Sequence, residues 1–120
     1  MITEKEIFNQ IAMSIIDVLP QGVKFKKAVL AIKRLKNNIG YTGYYILGND
    51  TKVWLDIFSF NLENNVVESL YQLTQNQAPI HTNWNRAIFT LYPNSTSEIE
   101  YIWDKELQQE VDGYNKKNIS

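Results

Sequence analysis

Few side chains in this sequence have the types and spacing that catalysis requires. The chain contains no cysteine and one histidine, His81. These counts exclude a thiol nucleophile, a zinc ribbon and an iron–sulfur cluster, and they leave no second imidazole for a histidine-based metal site. A general base needs an orienting partner, which the polar stretch around His81 does not supply. We interpret His81 as a surface histidine.

Carboxylates are the remaining candidates for catalysis. Glu98 and Glu100 are two apart on a predicted strand and therefore share a face, and paired acids can perform glycosidic or metal-dependent chemistry. The chain has no calcium-binding loop motif, and Gly40, Gly43 and Gly48 are too irregularly spaced for a phosphate-binding loop. A solvated strand face is the better interpretation of the acid pair. The sequence therefore predicts no enzymatic activity, no metal and no cofactor.

The charges are segregated along the chain, although 12 basic and 13 acidic residues nearly balance over 120 residues. Residues 24–36, the basic segment, contain six cations and no acid. Residues 98–112, the acidic segment, contain six acids and one lysine, a net charge of −5. If the segments lie together they neutralise each other. If they lie apart, the acidic segment suits a basic protein partner.

The basic segment also raises the alternative of a small nucleic-acid-binding regulator. Phe25, Tyr41, Tyr44 and Tyr45 lie in or near it, and cations with stacking aromatics are the ingredients of single-strand binding. However, dedicated nucleic-acid domains are usually basic overall, whereas this chain has an isoelectric point of about 5.8. We therefore do not expect nucleic acid as the partner.

Periodic apolar patterns predict the elements that position these charges. Thr3 and Glu6 match a capping box, and the apolar stripe after them predicts a helix over 3–18 that Pro20 terminates. Residues 25–35 fit either a helix or a strand, and we favour a strand because strands follow it. A turn at 37–40, strands at 41–47 and 52–58, and strand 25–35 then form an antiparallel meander.

The second half predicts one more helix and two more strands. Asn61 is a candidate helix cap, followed by the apolar stripes Val66, Leu70, Leu73 and Val67, Tyr71. The remaining predicted segments are a connector at 75–82, strands at 84–92 and 97–103 joined by a turn at 93–96, a short helix compatible with 104–112, and a frayed tail at 113–120.

Together these elements predict an α+β fold in which helices pack on a single antiparallel sheet. The predicted order is α-β-β-β-α-β-β in one domain, 1–120, with its core at about 3–112. The same patterning assigns Trp54, Trp84 and Trp103 mostly to the core between the sheet and the helices.

The chain resembles the YezG-like family of bacterial immunity proteins over about residues 5–106. The resemblance is carried by the opening helix Ile7-Phe8-Asn9-Gln10-Ile11-Ala12 with its Leu19-Pro20 end, by Gly43-Tyr44-Tyr45-Ile46, by Asn83-Trp84-Asn85-Arg86, and by Glu98-Ile99-Glu100-Tyr101-Ile102-Trp103-Asp104. Trp103 stands where a second tyrosine is more usual, and the turn at 93–97 lacks an expected glycine.

The resemblance implies a cytoplasmic antitoxin that binds and neutralises a cognate toxin. Such toxins are often nuclease domains at the tip of contact-dependent growth inhibition effectors, and immunity is stoichiometric occlusion of the active site. The acid-rich N-terminus and the absence of a long apolar run agree with a cytoplasmic protein that has no membrane partner.

A nuclease holds a polyanion and presents a cationic site, so the acidic segment is the expected toxin-binding surface. The expected electrostatic contacts are Glu98, Glu100, Asp104, Glu106 and Glu110. Tyr101 and Trp103 are candidate aromatic anchors if they face outward, because interface hot spots favour aromatic residues.

Overall fold

The computed structural model describes residues 3–35, 38–77 and 84–110. Its elements are helix α1 (Glu4–Val18), strands β1 (Phe25–Arg34), β2 (Ile39–Leu47) and β3 (Lys52–Trp54), a 3-10 turn (Ile57–Ser59), helix α2 (Asn64–Gln77), and strands β4 (Arg86–Leu91) and β5 (Ser97–Ile102). Residues 105–110 are helical and form the C-terminal helical segment. The predicted tail at 113–120 and His81 lie outside the described residues.

One antiparallel sheet of five strands organises the fold, in the order β3-β2-β1-β4-β5. Strands β1, β2 and β3 form the predicted meander, and the β4–β5 hairpin pairs with the other side of β1. The α+β prediction is confirmed, as is the choice of strand over helix for residues 25–35. Strand β1 is therefore the centre of the sheet.

Helix α1 follows directly from its sequence pattern. The Thr3 side chain accepts a hydrogen bond from the Glu6 amide at 3.2 Å, which satisfies one of the free amides of the first turn. Ile7, Ile11 and Ile15 recur at helical spacing and have no exposed surface. These three side chains dock the helix onto the sheet.

Both α1 and α2 pack on the same face of the sheet. Alternation along β1 directs Ala28, Leu30 and Ile32 into the buried cluster that contains the apolar residues of both helices. Phe89 of β4 extends this face and meets the ring of Phe8 edge-on, with ring centres 5.6 Å apart. The opposite face of the sheet is left without either helix, and we call it the open face.

Several predicted segments differ from the structure at their ends. Helix α2 begins at Asn64, so Asn61 is not its cap; the Asn61 carbonyl instead accepts a hydrogen bond from Ser14 of α1 at 3.2 Å. Of the predicted turn at 37–40, residues 39 and 40 already belong to β2. The predicted connector at 75–82 starts too early, because residues 75–77 complete α2.

The third strand is shorter than predicted because the chain turns after Trp54. Asp56 caps the 3-10 turn by accepting hydrogen bonds from the Phe58 amide at 3.1 Å and from the Ser59 hydroxyl at 2.8 Å. Leu55 folds over Gly43 of β2, so closely that a Cβ at position 43 would lie 2.6 Å from Leu55 Cδ1. Only glycine leaves room for this crossing.

The prediction for the tryptophans is wrong for two of the three. Trp84 is buried, with 1% of its surface exposed, but Trp54 is 66% exposed and Trp103 is 46% exposed. Trp54 faces away from the helices on an edge strand. Trp103 follows the last residue of β5, so the alternation of the strand no longer directs its side chain inward.

We expect Gly43→Ala to lower the free energy of unfolding by about 1–3 kcal/mol, because the added methyl group overpacks the contact with Leu55 and the Val29 carbonyl oxygen. Gly48→Ala is the matched control, since a Cβ there has no neighbour within 4 Å. Urea denaturation of both variants tests this, and equal stabilities would contradict the proposed close approach.

Candidate binding surface

Trp84 connects α2 to the last two strands. Its indole nitrogen donates a hydrogen bond to the Thr74 hydroxyl at 2.9 Å, and both residues are buried. Its ring centre lies 5.5 Å from that of Tyr71 on α2 and 5.1 Å from that of Tyr101 on β5. The large indole is buried and its single hydrogen-bond donor is satisfied, so Trp84 stabilises the packing of α2 against the last two strands.

Arg34, at the end of β1, contacts the same group of residues around Trp84. Its guanidinium carbon lies 3.5 Å from the centre of the Tyr71 ring. The guanidinium also donates to both carboxylate oxygens of Glu68, at 3.4 and 3.2 Å, and to the Trp84 carbonyl at 3.3 Å. Stacking on an aromatic ring and two-point pairing with a carboxylate hold an arginine side chain in place. Arg34 therefore has a structural role.

Asn85 ties the acidic segment to the sheet. The residue is 2% exposed; its amide nitrogen donates to the Asp104 carbonyl at 2.8 Å, and its amide oxygen accepts from the Asp104 amide at 2.7 Å. Its own backbone donates to Ile102 and accepts from Arg34. The Asn85 side chain thus makes the two backbone hydrogen bonds at Asp104 that a neighbouring strand would otherwise make, just beyond the end of β5.

Asp104 begins the C-terminal helical segment. Its carboxylate accepts from the Leu107 amide at 3.1 Å and from Arg86 Nε at 2.5 Å. The hydrogen bond from the Leu107 amide has the largest effect and lowers the pKa of Asp104. Burial opposes it, and the hydrogen bond and charge of Arg86 lower the pKa further. Asp104, one of the expected toxin contacts, is therefore ion-paired and caps a helix.

The other four expected acidic contacts are exposed. Glu98 and Glu100 lie on β5, opposite Thr90 and Ile88 of β4, and so project from the open face. Glu98 accepts a hydrogen bond from the Tyr92 hydroxyl at 3.3 Å. Glu106 and Glu110 lie on the C-terminal helical segment. The structure thus places two acids on the sheet and two on the helical segment that follows β5.

The two candidate aromatic anchors differ in orientation. Tyr101 points toward the helices and packs against the buried cluster, and burial, with a smaller effect of the Glu4 carboxylate, raises its pKa to about 12. An outward-facing Tyr101 is therefore wrong. Trp103 remains a candidate anchor, because almost half of its surface is exposed at the start of the acidic segment.

The basic and acidic segments are separated by a strand. Strand β4 lies between β1 and β5. In the described ranges, the ion pairs of the basic segment join Lys26 to Asp50 at 2.6 Å and Arg34 to Glu68 at 3.2 Å, and neither involves the acidic segment. The alternative of mutual neutralisation is therefore wrong for the described residues.

A second exposed cluster on the open face was not predicted from the sequence. The Tyr44 and Trp54 rings meet edge-on at 5.9 Å, and Lys52 Nζ lies 4.2 Å from the first ring centre and 4.4 Å from the second. We call Tyr44, Lys52 and Trp54 the aromatic cluster. Strand alternation is the sequence feature that could have indicated this cluster. Successive side chains of a strand point to opposite faces, so a buried Tyr45 requires Tyr44 to lie on the open face.

An apolar groove of about 750 Å³ lies on another part of the molecule, between α1, the loop after it and the β4–β5 turn. Met13, Ile16, Phe25 and Leu91 are among its lining residues, and no Asp, Glu, Lys, Arg or His lines it. Such a groove suits an apolar group and offers no charged group for catalysis.

Within residues 3–35, 38–77 and 84–110, no three His, Cys, Asp or Glu side chains are grouped in a way that would hold a metal ion. No helix in these ranges has the length and apolar character needed to cross a membrane. Comparison of the chain with protein-family models and with curated proteins found no match.

We expect the contribution of Asp104 to stability to depend on pH. Because the folded state lowers its pKa, the ionised carboxylate stabilises the fold above the ordinary value near 3.9, and this contribution is lost as the pH falls through the lower, folded value. Asp104→Asn should therefore be less stable than the wild type at pH 7, and the difference should shrink toward pH 2.

Urea denaturation at pH 7, 4 and 2 measures this difference. Glu100→Gln is the control, because Glu100 is exposed and lies outside the ion pairs of the described chain. A stability difference for Asp104→Asn that is the same at all three pH values would contradict the assignment.

Proposed function

We propose that this chain is an immunity protein: a cytoplasmic protein that binds a cognate bacterial toxin and neutralises it without catalysis. The observation that carries the proposal is the exposed acidic array of Glu98, Glu100, Glu106 and Glu110 beside a buried anchoring network. The resemblance to the YezG-like family supports the same role.

The acidic array has the properties of a preorganised docking surface. Two of its acids lie on a paired strand, and the other two follow a capped helical start, so little ordering is needed when a partner binds. Four exposed acids outnumber the single cation of the same segment, Lys105, and attract a basic partner over roughly a Debye length, about 8 Å at physiological salt.

The partner chemistry that fits best is a basic nuclease domain. A nuclease site attracts phosphates with cations, and an acidic surface competes for those cations. Trp103, half exposed at the start of the array, supplies an apolar contact of the kind that dominates interface energetics. We propose that binding occludes the toxin active site in a stoichiometric complex.

We expect Glu98→Lys/Glu100→Lys to weaken capture of the partner about tenfold or more, because the substitutions replace attraction by repulsion. Tagged wild-type and variant proteins are used to capture partners from a lysate of the native host at about 50 and 200 mM salt. Mass spectrometry then quantifies the polypeptide that co-purifies with the wild type in near-equal amount.

Asp17→Lys/Glu63→Lys is the matched control, since it makes the same charge change at two exposed acids on other parts of the surface. Equal capture by the acidic-array variant and the control would exclude the array as the binding surface. Recovery of nucleic acid instead, and its loss in Lys27→Glu/Lys33→Glu, would favour the alternative of a nucleic-acid-binding regulator.

A further inference from the structure

An exposed apolar surface lies near the end of α1. Met13 and Ile16 are 56% and 47% exposed, although both are large apolar side chains. Both line the apolar groove of about 750 Å³, together with Phe25 at the start of β1 and with Leu91 and Tyr92 at the end of β4. Exposed apolar side chains that are grouped around a groove, rather than scattered singly, are typical of a binding site.

Hydrogen bonds within the protein already order the backbone around this groove. In the β4–β5 turn, the Tyr92 amide donates to the Thr96 carbonyl at 2.9 Å, and the Ser95 amide donates to the Tyr92 carbonyl at 3.0 Å. In the loop after α1, the Val23 amide donates to the Pro20 carbonyl at 3.1 Å. A partner that enters the groove therefore has little backbone to order, which favours binding.

Tyr92 connects the groove to the acidic array. The residue lines the groove, and its hydroxyl donates a hydrogen bond to the Glu98 carboxylate at 3.3 Å. From Glu98 the array continues to Glu100 along β5, which spans about 17 Å between Ser97 and Ile102. The apolar groove and the acids of β5 are therefore parts of one continuous surface.

We propose that the toxin fills this groove with a large apolar side chain, carried by a segment whose cations contact Glu98 and Glu100. This inference rests on the proposed function and specifies the partner: a basic segment of the toxin with an apolar anchor. The acids speed association and select a basic partner, whereas an apolar side chain buried in a preformed groove contributes most of the affinity.

A protein segment matches more of this surface than a small molecule does. The lining residues of the described chain are all uncharged, so the groove itself offers no partner to an ionic ligand. A small neutral ligand could fill the groove, but it would leave the outer sides of Met13 and Ile16 in water and would make no use of the adjoining acids. A protein segment covers these side chains and reaches Glu98 across Tyr92, so that an apolar centre has a charged border.

The first test compares capture of the partner from a lysate of the native host at about 50 and 200 mM salt. We expect Met13→Gln/Ile16→Gln to weaken capture about tenfold or more at both salt concentrations, because salt does not screen apolar contacts. The loss in Glu98→Lys/Glu100→Lys should instead depend on salt. Phe58→Gln is the matched control, since Phe58 is fully exposed and does not line the groove.

The second test locates the contact by photo-crosslinking. Met13→p-benzoylphenylalanine places a photoreactive ketone at the groove, and irradiation should join it to the same polypeptide that the wild type captures. Mass spectrometry of the joined peptides should identify a segment with a large apolar residue beside Lys or Arg. Phe58→p-benzoylphenylalanine is the control and should give no such product.

The outcomes separate this inference from the proposed function. Capture that is unchanged in Met13→Gln/Ile16→Gln but lost in Glu98→Lys/Glu100→Lys would overturn the inference and leave the proposed function standing. A product of the Met13 probe with a small molecule and with no polypeptide would also overturn it, in favour of a small apolar ligand. Failure of the wild type to capture any polypeptide in near-equal amount would overturn both.

Discussion

The buried amide of Asn85 is the constraint on which the placement of the acidic segment depends. Its two hydrogen bonds to the backbone of Asp104 hold the chain where the pairing of β5 ends. A buried amide that loses its hydrogen-bond partners costs about 1–3 kcal/mol. Moving Asp104 away from Asn85 is therefore unfavourable. From Asp104 the helical segment with Glu106 and Glu110 begins. The neighbours of Asn85 in sequence act in the same region: Trp84 fixes α2, and Arg86 neutralises Asp104.

The placement of both helices on one face of the sheet has a second consequence. The apolar residues of alternate strand positions are covered, and the remaining positions form a surface with opposite charges at its two edges. Strand β4 separates β1 from β5, and the ion pairs that the described part of the basic segment forms, Lys26 with Asp50 and Arg34 with Glu68, do not involve the acids of β5. A short edge strand, β3, carries the exposed Trp54, and polar or charged neighbours such as Lys52 reduce the risk of uncontrolled pairing at that edge.

Much of the fold could be predicted because its signals are local. The Thr3 cap, the isoleucine spacing of α1 and the alternation of β1 each operate within a few residues. The failures have non-local causes. The end of β3 depends on the passage of Leu55 over Gly43, and no pattern within 52–58 shows that contact. The sequence pattern continues the β5 alternation to Trp103, whereas the strand ends at Ile102. Beyond it the side chain of Asn85, far away in sequence, bonds the backbone of Asp104.

The candidate site was predictable in composition but not in arrangement. The acidic segment is visible as a run of charges, yet only the structure pairs Asp104 with Arg86 and turns Tyr101 inward.

The most direct test of the account is a titration of the captured partner with this protein, following the toxic activity of the partner. We predict a linear fall to zero at one protein per partner, as stoichiometric occlusion requires. Full activity in the presence of excess protein, or complete loss at a small fraction of an equivalent, would contradict neutralisation by binding.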